Sequence, residues 1–110
     1  MRIEMDNLYE NIRKLSPSEL DKILDKRDTK PFDKAWCETN NAIPLAKYPF
    51  SAKDIFLTLS KITIGHEICS YISDDLELLN RAKEAGIETD FLKYIRQCYE
   101  NGVIPSEWHC

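Results

Sequence analysis

The side chains that could do chemistry in this 110-residue chain are two histidines, four cysteines and a pair of adjacent carboxylates. His66 and Cys69 stand about one helical turn apart, and His109-Cys110 would complete a mixed nitrogen and sulfur set of the kind that holds structural zinc. No CxxC spacing recurs, and the second pair closes the sequence, so no metal is expected. Cys69 also has the nearby histidine that a thiolate nucleophile needs, but Glu67, Ile68 and Ile72 supply none of the positive charge that lowers a thiol pKa. Cys69 and Cys98 are read instead as small buried apolar side chains, Cys110 as exposed, and all four cysteines, Cys37 included, as free thiols. Asp74-Asp75 could hold a divalent cation, but acids beside a helix start more commonly cap it and complement its dipole. With no GxSxG, phosphate-cradling glycine loop or HExxH, the sequence predicts no enzyme and no cofactor.

Asp74 and Asp75 belong to the stretch with the strongest helical pattern, Ile68 to Gly86, ICSYISDDLELLNRAKEAG. At about 100° per residue Ile68, Ile72, Leu76, Leu79 and Ala82 share one side, widened by Leu78, and that side is expected to face a core. On the other side Asp74, Glu77, Arg81, Glu84 and Glu88 recur at spacings of three and four, a mostly acidic stripe expected to face water or a partner. Ser73-Asp74-Asp75 makes a good cap, so a break at or before Ser73 is expected. The β-branched and glycine residues of Lys61 to Gly65 mark a second place for one.

Counted by segment, charge balances everywhere else. Residues 1–35 hold eight acids and eight bases, residues 36–73 three and three, and residues 91–110 two and two. Residues 74–90 hold six acids against Arg81 and Lys83, which accounts for the whole net charge of −4. Such a cluster disfavours nucleic acid and steers a basic protein toward itself. Arg13-Lys14 and Lys22, Lys26 and Arg27 are offset by acids on the same segments, so no DNA-reading helix is expected.

The length suits one domain of roughly 100 to 150 residues. Three glycines, five prolines and no sustained apolar-polar alternation predict an all-α fold. No run of about 18 apolar residues offers a membrane span. The opening MRIEMDNLYENIRK carries charges where a secretory signal has its apolar core, so a cytoplasmic location is expected.

Taken in order, Leu8, Ile12 and Leu15 predict a helix over about Asp6 to Leu15. Ser16-Pro17-Ser18-Glu19 is a capping box opening a second helix to about Arg27, and the short hinge predicts that the two pack as a hairpin. From Asp28 to Phe50 three prolines and Asn40-Asn41 predict an ordered loop, with a short helix around Phe32 to Glu38 and with Trp36 packed on the core. Ser51 opens another helix through Ile55, Phe56, Leu59 and Ile62. Gly86-Ile87 and Gly102-Val103 read as left-handed stops, Glu88 or Thr89 begins the last helix, and Trp108 folds the tail back. The predicted architecture is a compact single-domain bundle of five or six helices: an N-terminal hairpin (1–27), an ordered loop (28–50), and a helical core with its tail (51–110).

At ISDDLELLNRAKEAGI followed by FLKYIRQCYENGVIP the chain resembles the C-terminal half of small acidic helical immunity proteins, encoded in bacteria beside contact-dependent or other polymorphic toxins. The resemblance covers about 35 residues. It lies in character: an acidic helix, a glycine stop and an aromatic-rich closing helix. It implies a cytoplasmic protein that binds a cognate toxin domain and blocks it. A basic nuclease is the toxin class that an acidic surface would suit. Asp74, Asp75, Glu77, Arg81, Glu84 and Glu88 would then supply charge complementarity, and Tyr71, Tyr94 and Tyr99 the desolvated anchors. The alternative is a cytoplasmic regulatory or adaptor module with no toxin partner.

Overall fold

The computed structural model of the chain describes residues 6–44, 52–62 and 66–108. Among the described residues every regular element is an α-helix, with α1 (Asp6–Lys14), α2 (Pro17–Arg27), α3 (Lys30–Ala42), α4 (Ala52–Ile62), α5 (His66–Ala85) and α6 (Asp90–Glu100) in chain order.

Local rules set most boundaries. The Ser16 hydroxyl accepts from the Glu19 N–H while the Ser16 N–H donates to the Glu19 carboxylate, the reciprocal box predicted for α2. Thr89 caps α6, its hydroxyl accepting from the Leu92 N–H at 3.2 Å. Both α5 and α6 stop on glycine. Gly86 and Gly102 take φ of 71° and 73°. Just beyond them the N–H groups of Ile87 and Val103 reach back to the carbonyls of Ala82 at 2.9 Å and Cys98 at 2.8 Å.

α5 is the spine, packing against α4 most extensively and also against α2 and α6. α3 bridges α2 and α6. Leu59 of α4, Ile68 and Ile72 of α5 and Ile95 of α6 are completely buried where these helices meet. The predicted pairing of α1 with α2 is corrected, because the main neighbour of α1 is α4. The reason is apolar supply. α1 buries Leu8 and Ile12 completely, and α4 offers it the wider apolar stripe, Ile55, Phe56, Leu59 and Ile62, against Leu20, Ile23 and Leu24 in α2.

Two further expectations change. The predicted loop contains α3, a helix of 13 residues. Thr29 has extended backbone before it, and Pro31 sits in the first turn, where a missing N–H is harmless. The rest of that loop, residues 45–50, lies outside the described residues, as do residues 63–65 with the break expected there. Ser73 does not divide α5. Its hydroxyl donates to the Cys69 carbonyl at 2.9 Å, a bond that a serine inside a helix makes one turn back. The tail behaves as predicted, with the Trp108 ring 5.2 Å from Phe91 and 5.5 Å from Tyr94.

Candidate partner-binding surface

Of the nine residues nominated for a partner, three lie in the interior. Asp75 is fully buried, and its carboxylate accepts four hydrogen bonds: from Arg27 Nη1 and Nη2 at 2.8 Å each, Trp36 Nε1 at 2.8 Å and Tyr99 Oη at 2.5 Å. Arg27 also donates to the Pro105 carbonyl at 3.0 Å, so α2, α3, α5, α6 and the tail meet at one ion pair. A buried carboxylate is tolerated only when its charge is matched and its lone pairs are filled, and here both conditions hold. Burial alone would lower the Arg27 pKa, but the hydrogen bond and charge of Asp75 outweigh it and raise it. Burial, with the Asp75 charge adding, pushes the Tyr99 phenol well above its ordinary 10.0, which keeps it a neutral donor.

Asp75 and Tyr99 are therefore corrected from surface contacts to supports beneath the surface. Adjacent positions on a helix point about 100° apart, so Asp74 faces out while Asp75 faces in.

Arg81 is corrected likewise. It turns against the end of α3, donating to Asn40 Oδ1 at 2.7 Å and to the carbonyls of Asn40 at 3.1 Å, Ile43 at 2.8 Å and Pro44 at 3.2 Å. α3 has no basic residue in its own last turn, so Arg81 supplies both the donors that its terminal carbonyls lack and the cation that its dipole attracts. α3 thus covers the stripe at this point. Glu77 lies 3.6 Å from Arg81 and helps hold it.

The remaining nominated acids, Asp74, Glu84 and Glu88, are exposed, and the Glu77 side chain is 44% exposed. Glu88 pairs with Arg96 at 2.6 Å. Tyr94 is half-buried, and its hydroxyl accepts from the N–H groups of Ser106 at 3.3 Å and Glu107 at 3.0 Å, so it holds the tail. Tyr71 is half-buried beside the Arg27 guanidinium, which lies 4.8 Å from its ring and 4.8 Å from that of Phe32.

Beside Tyr71 opens a cavity of about 190 Å³, lined by Arg27, Asp28, Phe32, Asp33, Trp36, Cys37, Tyr71 and Asp74. Burial, then the charges of Asp28 and Glu67, raise the Tyr71 phenol pKa. Burial, then the charges of Asp75 and Glu77, raise that of Asp74. Both shifts come first from burial, with the neighbouring carboxylates adding to it and Arg27 opposing. Segment counting missed Asp28 and Asp33, which belong to stretches that balance in sequence yet converge on Asp74 in space. The signal that could have found them is Thr29, Pro31 and Asp33, which together have the form of a helix start.

The chemistry first considered at the cysteines meets an unsuitable setting. Cys69 is completely buried and burial raises its pKa, the opposite of what a nucleophile needs; Cys98 is half-buried and shifted the same way. No cluster of three or more metal-ligating side chains occurs among the described residues. The His66 side chain, His109 and Cys110 fall outside them. No helix among the described residues is long and apolar enough to cross a membrane. What the outer surface carries is exposed carboxylates and half-buried aromatic rings.

A family model described as immunity protein PIM1 matches residues 1–106. No curated protein matches the chain.

Proposed function

Because the chain belongs to the PIM1 family of immunity proteins, we propose that it binds a cognate bacterial toxin domain in the cytoplasm and neutralises it by occupying its working surface. Family membership over nearly the whole chain carries this reading. In it the protein performs no reaction and acts by steric and electrostatic cover. The contact is made by the outward acids of α5 and the residues just beyond it, Asp74, Glu77, Glu84 and Glu88, with Tyr71 as an aromatic anchor. Asp75, Arg81 and Tyr99 act from behind, fixing the helices that carry these side chains. The toxin class that this charge suits is a basic domain acting on nucleic acid, whose phosphate-binding surface would be covered by carboxylates.

Coexpression tests the reading. The toxin domain encoded beside this chain arrests growth when expressed alone, and growth returns when this chain is supplied. Arrest that persists at full expression of the folded protein would overturn the assignment.

A further inference from the structure

The acids of the molecule are not equally occupied. Glu10, Glu38, Glu77, Glu88, Glu100 and Glu107 each have a basic partner within 4.0 Å. Asp28, Asp33 and Asp74 make no ion pair among the described residues, which is equally true of Asp21, Asp25 and Asp90; what sets the three apart is that they line one cavity, the 190 Å³ opening between α2, α3 and α5. The aromatic residues Phe32, Trp36 and Tyr71 complete its wall.

A second, independent feature marks this place. Arg27 lies in the same wall with its side chain 4% exposed, and its Nε is the one buried side-chain nitrogen or oxygen without a hydrogen-bond partner among the described residues. Its Nη atoms are committed to Asp75 and Pro105, so its charge is matched while Nε as a whole, and one hydrogen on Nη2, stay unused. A buried donor without an acceptor is unfavourable, and an acceptor entering beside it would relieve that.

Carboxylates, aromatic faces and one buried donor together describe a complementary ligand. It carries a planar cation and, close to it, a neutral oxygen acceptor. An arginine residue in a polypeptide has both: its guanidinium stacks on aromatic rings and forks to carboxylates, and its own backbone carbonyl is the acceptor. Resting on the reading above, we propose that this cavity is the socket for one arginine side chain of the toxin domain, seated among Asp28, Asp33 and Asp74 against Tyr71, with a neighbouring backbone carbonyl of the toxin accepting from Arg27 Nε. The raised Asp74 pKa fits a site that a cation completes.

The test uses blocked arginine (N-acetyl-arginine methylamide) and its uncharged isostere, blocked citrulline, titrated into the isotopically labelled protein. The reporter is the Trp36 indole N–H, which donates to Asp75 at the cavity wall, with the Trp108 indole as the remote control. Saturable shifts at Trp36 with blocked arginine are expected, with citrulline weaker by about tenfold or more, and Asp33→Asn/Asp74→Asn weakening arginine by a similar factor while Trp108 stays unmoved. Equal shifts from both probes, shifts spread evenly over Glu84 and Glu100, or an undiminished response in the double variant would overturn the socket. The same variant assayed against the toxin domain separates the two claims. Undiminished neutralisation removes the socket and leaves the immunity reading standing. Arginine binding with no toxin binding removes the immunity reading.

Discussion

At the scale of single residues, Asp75 and Asp74 are neighbours in sequence with opposite roles. Asp75 holds four donors drawn from three other helices, two of them 48 and 39 positions away, and no local pattern announces such partners. Asp75→Ala strands the Arg27 charge inside the protein and should lower stability by about 3–5 kcal/mol, read from urea midpoints. Tyr99 adds a pH dependence whose sign follows from its raised pKa. The folded chain keeps a phenolic proton that the unfolded chain gives up above about pH 10, so stability should decline as the pH rises past that point. Tyr99→Phe should show a shallower alkaline decline. Asp74 behaves differently, since burial and its acidic neighbours disfavour its ionised form in the fold. Asp74→Asn should therefore leave stability unchanged or slightly higher at pH 7, with the difference vanishing at acid pH; a clear loss at pH 7 would show that Asp74 is a structural group.

At the scale of elements, starts and stops were the most readable part of the sequence, because capping and glycine stops depend on residues three to five positions apart. The two stops make a graded prediction. A Cβ at Gly86 would meet nothing within 4 Å, so Gly86→Ala should cost about 1–2 kcal/mol, the price of a left-handed backbone alone. At Gly102 a Cβ would come within 2.8 Å of Asn11 Nδ2 and 3.1 Å of the Asn7 backbone. The Gly102 carbonyl also accepts from Asn11 at 2.7 Å, so Gly102→Ala should cost clearly more and loosen α1. Thermal melts of the two variants check the order. What stayed hidden was which helix lies on which. The α1–α4 contact and the covering of Arg81 by α3 depend on apolar area and end-to-end geometry, neither of which leaves a periodic trace. α3 itself was underread because its prolines and asparagines look like loop punctuation until Pro31 is placed in the first turn and Arg81 against the last.

At the scale of the whole molecule, folding redistributes charge that a linear count treats as fixed. Arg27 and Asp75 cancel inside the protein and Arg81 is taken up by α3, so the basic residue that interrupted the acidic stripe is withdrawn from it. Asp28 and Asp33, from a balanced segment, join Asp74 at one opening. The all-α class and the acidic character of α5 were thus legible in the sequence, whereas the shape of the acidic surface was not.

That surface is where the proposed function is decided. Electrostatic steering of a basic toxin domain would appear in the association rate, which should fall steeply as salt rises. Asp74→Lys/Glu84→Lys reverses two exposed charges while leaving Glu77 to hold Arg81. The most direct measurement is the association rate constant of this variant and of the native chain with the cognate toxin domain, at low and at physiological salt. A fall of about tenfold or more is expected for the variant, with the salt dependence flattened. An unchanged rate and affinity in a variant with native helicity and thermal stability would contradict that expectation.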